Sequence, residues 1–302
     1  MQENVLVGLS LLPVSLFGSS FNWIVVIIIL KENTLKSPFM FLTFVKSLCD
    51  SIYLTVYLLY LTPMVILNNA FLVTHSNTAG YVLMVCYEIS IHTHFITSMN
   101  RFAAVFAPIS YKSLFSIKAT RIYVGIAALL STIMMSVVIY VLGCRIEYDS
   151  ETWVAFYDVT IPICNWYVIY LDFLKNLCLV FVDFAIDIVT LLKVQRMRRQ
   201  FRSGKRSENY TKKETDFLKQ CCGQGFCYLM GYTSYLMVPE MNTNKYVAFF
   251  MSVMSWCAIA MIDGLFTIVY NCEIRTKLIK EKSEISVVSV TGPRKKTVSF
   301  AK

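Results

Sequence analysis

Charge is scarce in this chain. Of its 302 residues only 16% are Asp, Glu, Lys or Arg, against 56% hydrophobic, whereas a soluble domain carries about 25% charged residues. Glycine numbers 11 and proline 7, too few for collagen or a Pro/Gly-rich low-complexity chain. Three histidines occur, His75, His92 and His94, with no His-rich cluster to hold a metal. HExxH, GxSxG, Walker and GxGxxG motifs are missing. Asp50, Asp183, Asp187 and Asp263 lack the GxGD setting of an intramembrane aspartyl protease. No catalytic set is left, so neither an enzyme nor a cofactor is expected. Alternating strand patterns are lacking too, which excludes a β-barrel, and no internal repeat has a fixed period.

What the chain does have is length of apolar run. Mean hydropathy is +0.57, and about 20 mostly apolar residues cross a ~30 Å hydrocarbon core. Seven such blocks stand out: Val5–Leu30, Phe39–Leu61, Tyr81–Asn100, Ile122–Leu142, Tyr167–Leu192, Phe217–Pro239 and Tyr246–Tyr270. The expected fold is an all-α membrane bundle of seven helices spanning residues 1–270, followed by a largely disordered tail over 271–302. The first block is expected to be a retained helix, because Met1–Asn4 contains Glu3 and no basic residue, unlike a signal peptide. In the fifth block Asp172 and Lys175 are spaced to pair at i,i+3 near the headgroups.

The basic residues set the orientation. Ten lie between Lys193 and Lys219 and eight beyond Tyr270; Lys31, Lys36, Arg101, Lys112, Lys118 and Arg121 join them. The other side has only Arg145 and Lys245. By the positive-inside rule the amino terminus is outside and the tail is in the cytosol. The net charge of +9 is therefore a topology signal, and no nucleic-acid partner is expected. The connection Lys193–Asp216 is read as extending helix 5 beyond the membrane before looping, with bases that serve either anionic lipid or a protein partner. Tail residues Ser283, Ser286, Ser289, Thr291, Thr297 and Ser299 are open to phosphorylation without a spacing that indicates it. Cys272 is either a free thiol or a palmitoylation site.

Of the ten cysteines, only Cys144 and Cys164 fall in an outside loop, on the oxidising side, and are expected to pair. The others lie mostly within helices as small packing residues. Ionisable groups inside the bilayer are costly and need a partner or a use. Lys46 and Asp50 are placed to neutralise each other at i,i+4. Asp183 and Asp187 share one face of helix 5 and are read as interhelical hydrogen-bonding groups. Glu88 lies near mid-membrane and is assigned a structural role. An ion-coupled secondary transporter using Asp50, Asp183, Asp187 and Asp263 is the alternative reading; the missing repeat and missing Gly/Pro-interrupted helix pair weigh against it.

The residues closing helix 3 are more specific. They read Ile91-His-Thr-His-Phe-Ile-Thr-Ser-Met-Asn-Arg-Phe-Ala-Ala-Val-Phe-Ala-Pro-Ile-Ser-Tyr111. Further stretches are Gly143-Cys-Arg-Ile-Glu-Tyr with Trp153 and Cys164, Tyr170-Leu-Asp-Phe, Val182-Asp-Phe-Ala-Ile-Asp-Ile-Val-Thr-Leu-Leu-Lys193, Ile262-Asp-Gly-Leu-Phe and Tyr270-Asn-Cys-Glu-Ile-Arg275. Together they resemble the serpentine receptor class X family of nematode chemoreceptors. The resemblance implies a rhodopsin-like bundle in the plasma membrane of a sensory neuron, a small-molecule ligand and a heterotrimeric G protein as partner. Asn100, Arg101 and Phe102 occupy the place of the receptors' Asp-Arg-Tyr motif, with Asn100 in place of the acid, and are the implied G-protein contacts. Asp263-Gly264 stands where an Asn-Pro pair is usual, so Asp50 and Asp263 are the implied switch network. Cys86 lies about 22 Å along helix 3 from Arg101, too deep for the superfamily's bridge to the second outside loop, which supports the Cys144–Cys164 staple. The implied ligand pocket opens outward and takes Met84, Tyr87, Tyr228, Tyr232, Phe250 and Trp256 as candidate lining. No Lys lies between Tyr246 and Tyr270, which excludes a retinal Schiff base there.

Overall fold

A computed structural model describes residues 2–32, 34–200, 205–241 and 244–279. Seven long helices dominate it: helix 1 Gln2–Lys31, helix 2 Pro38–Leu67, helix 3 Ser76–Phe106, helix 4 Ile117–Val141, helix 5 over 162–200, helix 6 Lys205–Met241 and helix 7 Lys245–Tyr270. Each expected block lies on one of them, the fourth running one residue past its helix to Leu142. The helices outrun the blocks because hydropathy marks the hydrocarbon span, whereas helical hydrogen bonding continues into polar ends. Helix 5 runs on to Gln200, as the basic stretch leads one to expect, and helix 6 begins already at Lys205.

Packing closes a ring. Helix 1 lies against helices 2 and 7, helix 2 against 3, helix 3 against 4 and 5, helix 5 against 6, and helix 6 against 7. The polarity is inverted relative to a soluble protein. Asn22, Lys46, Asp50, Glu88, His94, Asp183, Asp187 and Asp263 are buried, while Leu129, Leu130, Ile133, Phe181 and Val182 face outward. A lipid surround explains both halves of that pattern, because ionisable groups there must turn into the bundle. Helices 1, 2, 4 and 7 are apolar enough to cross a membrane on composition alone; helices 3 and 5 carry Glu88, His94, Asp183 and Asp187 among the buried polar groups.

Four helices widen by a π-turn, with i→i+5 bonding, in the same half of the bundle: Tyr57–Leu61, Val137–Val141, Tyr167–Leu174 and Phe250–Met254. In helix 2 the cause is Pro63, whose ring crowds the carbonyl one turn back and whose nitrogen donates no hydrogen bond. Each π-turn swings the following side chains off the regular 3.6-residue register.

The connection from helix 4 to helix 5, read from sequence only as a disulfide-closed loop, contains a β-hairpin. Strand β1, Ile146–Asp149, pairs antiparallel with β2, Val154–Tyr157. Cys144 and Cys164 are bonded, with Cα atoms 5.4 Å apart, as expected. The Asn77 side chain accepts from the Ile146 N–H at 2.9 Å and ties the hairpin to helix 3. Trp153, left-handed at φ 59°, is buried against Tyr246 and Phe249, and its indole donates to Asn4 Oδ1 at 2.8 Å.

At the opposite, basic end residues 272–279 form a short helix. Asn271 caps it, accepting from the Glu273 N–H at 3.1 Å, and Ile274 is buried with Val25, Phe39 and Phe217. The described start of the tail is thus helical, and residues 280–302 lie outside the described residues. The candidate phosphorylation sites lie outside the described residues.

Candidate functional site

A cavity of about 270 Å³ opens at the hairpin end. Helix 3 contributes Met84 and Tyr87, helix 6 Tyr232 and helix 7 Trp256, four of the six residues expected there. Their rings interlock: Tyr87 and Tyr232 both meet Trp256 edge-on, at 5.3 and 5.2 Å between centroids. The other two fall elsewhere. Phe250, at the start of the helix 7 π-turn, faces outward and is 46% exposed. Tyr228 lies one turn below the cavity in a polar network.

Sequence reasoning missed most of the lining. Tyr53 and Tyr57 come from helix 2, Asp172 and Phe173 from the π-turn of helix 5, and Ile146, Phe156 and Tyr157 from the hairpin. The π-turns place Tyr57, Asp172 and Ser252 at the wall, and no 3.6-period pattern anticipates that. The hairpin packs closely on helix 3: a Cβ on Gly80 would come within 3.0 Å of Ile146 Cβ. The result is an aromatic chamber with a few polar groups, the usual make-up of a small-molecule site.

Below the cavity lies a buried ion network. Lys46 Nζ is 3.3 Å from Asp50 Oδ2, as its i,i+4 spacing suggests, and also bonds Asp263 across the bundle. Asp50 Oδ1 accepts from the Ser90 hydroxyl at 2.8 Å, and Asp263 Oδ2 accepts from the Tyr228 hydroxyl at 3.2 Å. The Lys46 ammonium stands 5.5 Å from the Tyr228 ring centre. Helices 2, 3, 6 and 7 thus meet at one cation shared by two carboxylates.

Helix 3 and helix 5 are joined at a second ion pair. Lys175 Nζ bonds Glu88 Oε2 at 2.7 Å, and the Asn176 amide donates to Oε1 at 2.8 Å. The expected Lys175–Asp172 pair is therefore replaced by a cross-helix one, because fully buried Glu88 needs the cation more than partly exposed Asp172 does. Both Glu88 oxygens are thus engaged within the bundle, which fits the structural role expected of it.

At the basic end Arg101 is only 7% exposed. Its guanidinium stacks 3.6 Å from the Phe39 ring centre and 4.7 Å from that of Phe217. Asn100 donates toward the Tyr111 hydroxyl at 3.4 Å, and Phe102 stacks on Phe106. Arg101, next to the position of the missing acid, is thus flanked by aromatic packing from helices 2 and 6.

One face of helix 6 links these layers. Tyr232 meets Trp256 at the cavity, Tyr228 bonds Asp263, and Gln224 donates to the Asp263 carbonyl at 3.3 Å. Gln220 then donates to the Thr267 hydroxyl at 3.0 Å, and Phe217 covers Arg101. These positions step by four, four, four and three residues, the spacing of a single helical stripe.

Residues 12–271 match the family model described as "Serpentine type 7TM GPCR chemoreceptor Srx". Serpentine receptor class X 45 of Caenorhabditis elegans is 21% identical over 284 residues, covering 87% of this chain and 78% of that protein. Serpentine receptor class X-43 of the same organism is 24% identical over 207 residues, covering 64% and 63%. The fold superposes on squid rhodopsin with a TM-score of 0.78 at 15% identity, over 95% of this chain and 82% of that one. Rhodopsin-like architecture and a family match over most of the length agree with the motif at Asn100–Phe102: the chain belongs to the Srx family of serpentine seven-transmembrane chemoreceptors, which are receptors and not enzymes.

Proposed function

We propose that this receptor sits in the plasma membrane of a sensory cell with its amino terminus outside. It takes a small, mainly apolar molecule into the hairpin-end cavity and activates a heterotrimeric G protein at the Arg101 end. Orientation is supported by the disulfide, which needs an oxidising compartment, and by the basic residues gathered at the opposite end. The ligand class follows from an aromatic wall broken by Asp172, Ser252 and tyrosine hydroxyls.

The observation that carries the reading is the helix 6 stripe from Tyr232 to Phe217. A ligand against Tyr232 and Trp256 acts on the same rigid element whose other end covers Arg101. Binding that favours an outward-displaced helix 6 shifts the population toward a state in which Arg101 is uncovered. The stretch Lys193–Lys219 at the adjoining ends of helices 5 and 6, with its ten basic residues, and Asn100, Arg101 and Phe102 then meet the G protein. Asp50 and Asp263 serve as the switch network through Lys46. That shared cation also weighs against the transporter reading, because it occupies the two carboxylates that an ion-coupled cycle would use.

The test is a G-protein reporter assay in transfected cells, screened against volatile and soluble cues, with Arg101→Ala as control. A cue-dependent response in the wild type, lost in Arg101→Ala at unchanged surface expression, is expected. Unaltered signalling by Arg101→Ala contradicts the assigned role, and substrate flux across vesicles with no reporter response favours a transporter.

A further inference from the structure

We propose that His94 of helix 3 and Asp183 and Asp187 of helix 5 form a binding site for a divalent transition-metal ion of the zinc class. His94, Asp183 and Asp187 each offer a ligand atom, all within 4.8 Å of one another. All three are buried, Asp187 completely. The sequence considered for histidines alone shows no such cluster; the fold supplies the carboxylates.

Three features point to a ligand rather than to a closed polar contact. Both oxygens of Asp187 and Oδ1 of Asp183 lack a hydrogen-bond partner among the described residues, although a buried carboxylate without one is costly. His94 Nε2 lies 3.1 Å from Asp183 Oδ2, yet the angles do not make a hydrogen bond. Two ligands of one ion sit at about that separation, roughly 3.3 Å for a tetrahedral site with bonds near 2.0 Å, with their lone pairs directed at the ion instead of at each other. The Ser98 hydroxyl neighbours both carboxylates without a well-formed bond to either.

The helix 6 side leaves room. Gly225 faces the imidazole, so that even an added Cβ would be 3.8 Å from Nε2, and Cys221 and Cys222 are the neighbouring polarisable groups. Lys46, the cation in the adjoining layer, is engaged by Asp50 and Asp263. One imidazole nitrogen with two carboxylate oxygens suits zinc-class ions, whereas magnesium and calcium favour all-oxygen sets. Bound metal would clamp helix 3 to helix 5 about 10 Å along helix 3 from Arg101. The site goes beyond the signalling proposal and does not rest on it.

Purified full-length receptor is titrated with zinc, metal content is measured after dialysis, and cobalt serves as a spectroscopic substitute. About one equivalent per chain, an upward shift of Tm with zinc but not magnesium, and visible cobalt absorption are expected. His94→Gln and Asp187→Asn should each weaken binding by about tenfold or more and abolish the Tm shift. Equal zinc uptake by the wild type and both variants overturns the proposal. If the variants do not yield folded receptor, the wild type decides: absence of stoichiometric uptake or of the Tm shift refutes the site.

Discussion

Lys46 and Asp263 are 217 residues apart in the chain and meet in the interior of the bundle, Nζ against Oδ2, so helices 2 and 7 are joined at one cation. That cation also faces Asp50. Removing it strands two buried carboxylates, and breaking a buried pair from one side typically costs about 3–5 kcal/mol. Lys46→Met should therefore lower Tm strongly. Lys46→Met combined with Asp263→Asn should recover part of the loss, because only Asp50, still held by Ser90, then remains charged. Thermal unfolding of detergent-solubilised receptor gives the ranking; a single variant as stable as the wild type would mean that the pair adds nothing.

Arg101 is covered by Phe39 and Phe217, and each cation–π contact is worth about 0.5–1 kcal/mol, more when desolvated. Loss of one ring should favour the uncovered state about two- to fivefold. Phe217→Leu is expected to raise ligand-free reporter activity by that factor, and Phe39→Leu likewise. The paired substitution should approach the product of the two, since the rings come from different helices. Basal activity unchanged in all three variants would remove the aromatic cover from the mechanism.

The bilayer makes part of this protein legible. Seven apolar stretches must each be about 20 residues long, and each of the seven helices was visible in the sequence for that reason. Local spacing revealed Lys46–Asp50, but not Asp263, which only tertiary packing brings to the same cation. The same local logic misled at Lys175, where the i,i+3 partner Asp172 loses to Glu88 on another helix. Cavity residues were legible where the helix is regular, as at Met84, Tyr87 and Tyr232. They were lost where a π-turn shifts the register: Phe250 opens one and faces outward, while Tyr57 and Asp172 lie in others and face the cavity. The hairpin strands, four residues each, are too short to announce themselves in a window scan.

The Cys144–Cys164 bond closes 20 residues that carry three of the cavity's lining side chains named above. Loop closure of this length contributes about 3 kcal/mol in the chain-entropy picture. Cys144→Ser with Cys164→Ser should lower Tm and reduce cue potency, while ligand-free signalling stays as in the wild type, because the Arg101 end is untouched. Reductant should reproduce the potency loss in the wild type and add nothing to the double variant. A further loss there would locate the effect at another thiol.

Acid should loosen the hairpin in a defined window. Partial burial works against ionisation of Asp149, but the Thr152 hydroxyl and the N–H groups of Glu151 and Thr152 outweigh it and hold its carboxyl below the usual range. Asp158 is lowered by the hydroxyl and N–H of Thr160. A carboxylate whose folded pKa is depressed stabilises the fold fully above its unfolded value, near 3.9, and ceases to do so as pH falls through the lower folded value. The turn at Asp149 accepts from the Glu151 N–H at 2.9 Å and the Thr152 hydroxyl at 2.6 Å. Protection of the Glu151 and Thr160 amides against exchange, corrected for intrinsic rates, should therefore be flat from pH 7 to about pH 4 and decline below it. Asp149→Asn should show weaker Glu151 protection at neutral pH and no acid step at that amide. Protection that persists in the wild type to pH 3 would show that these carboxylates do not hold the turn.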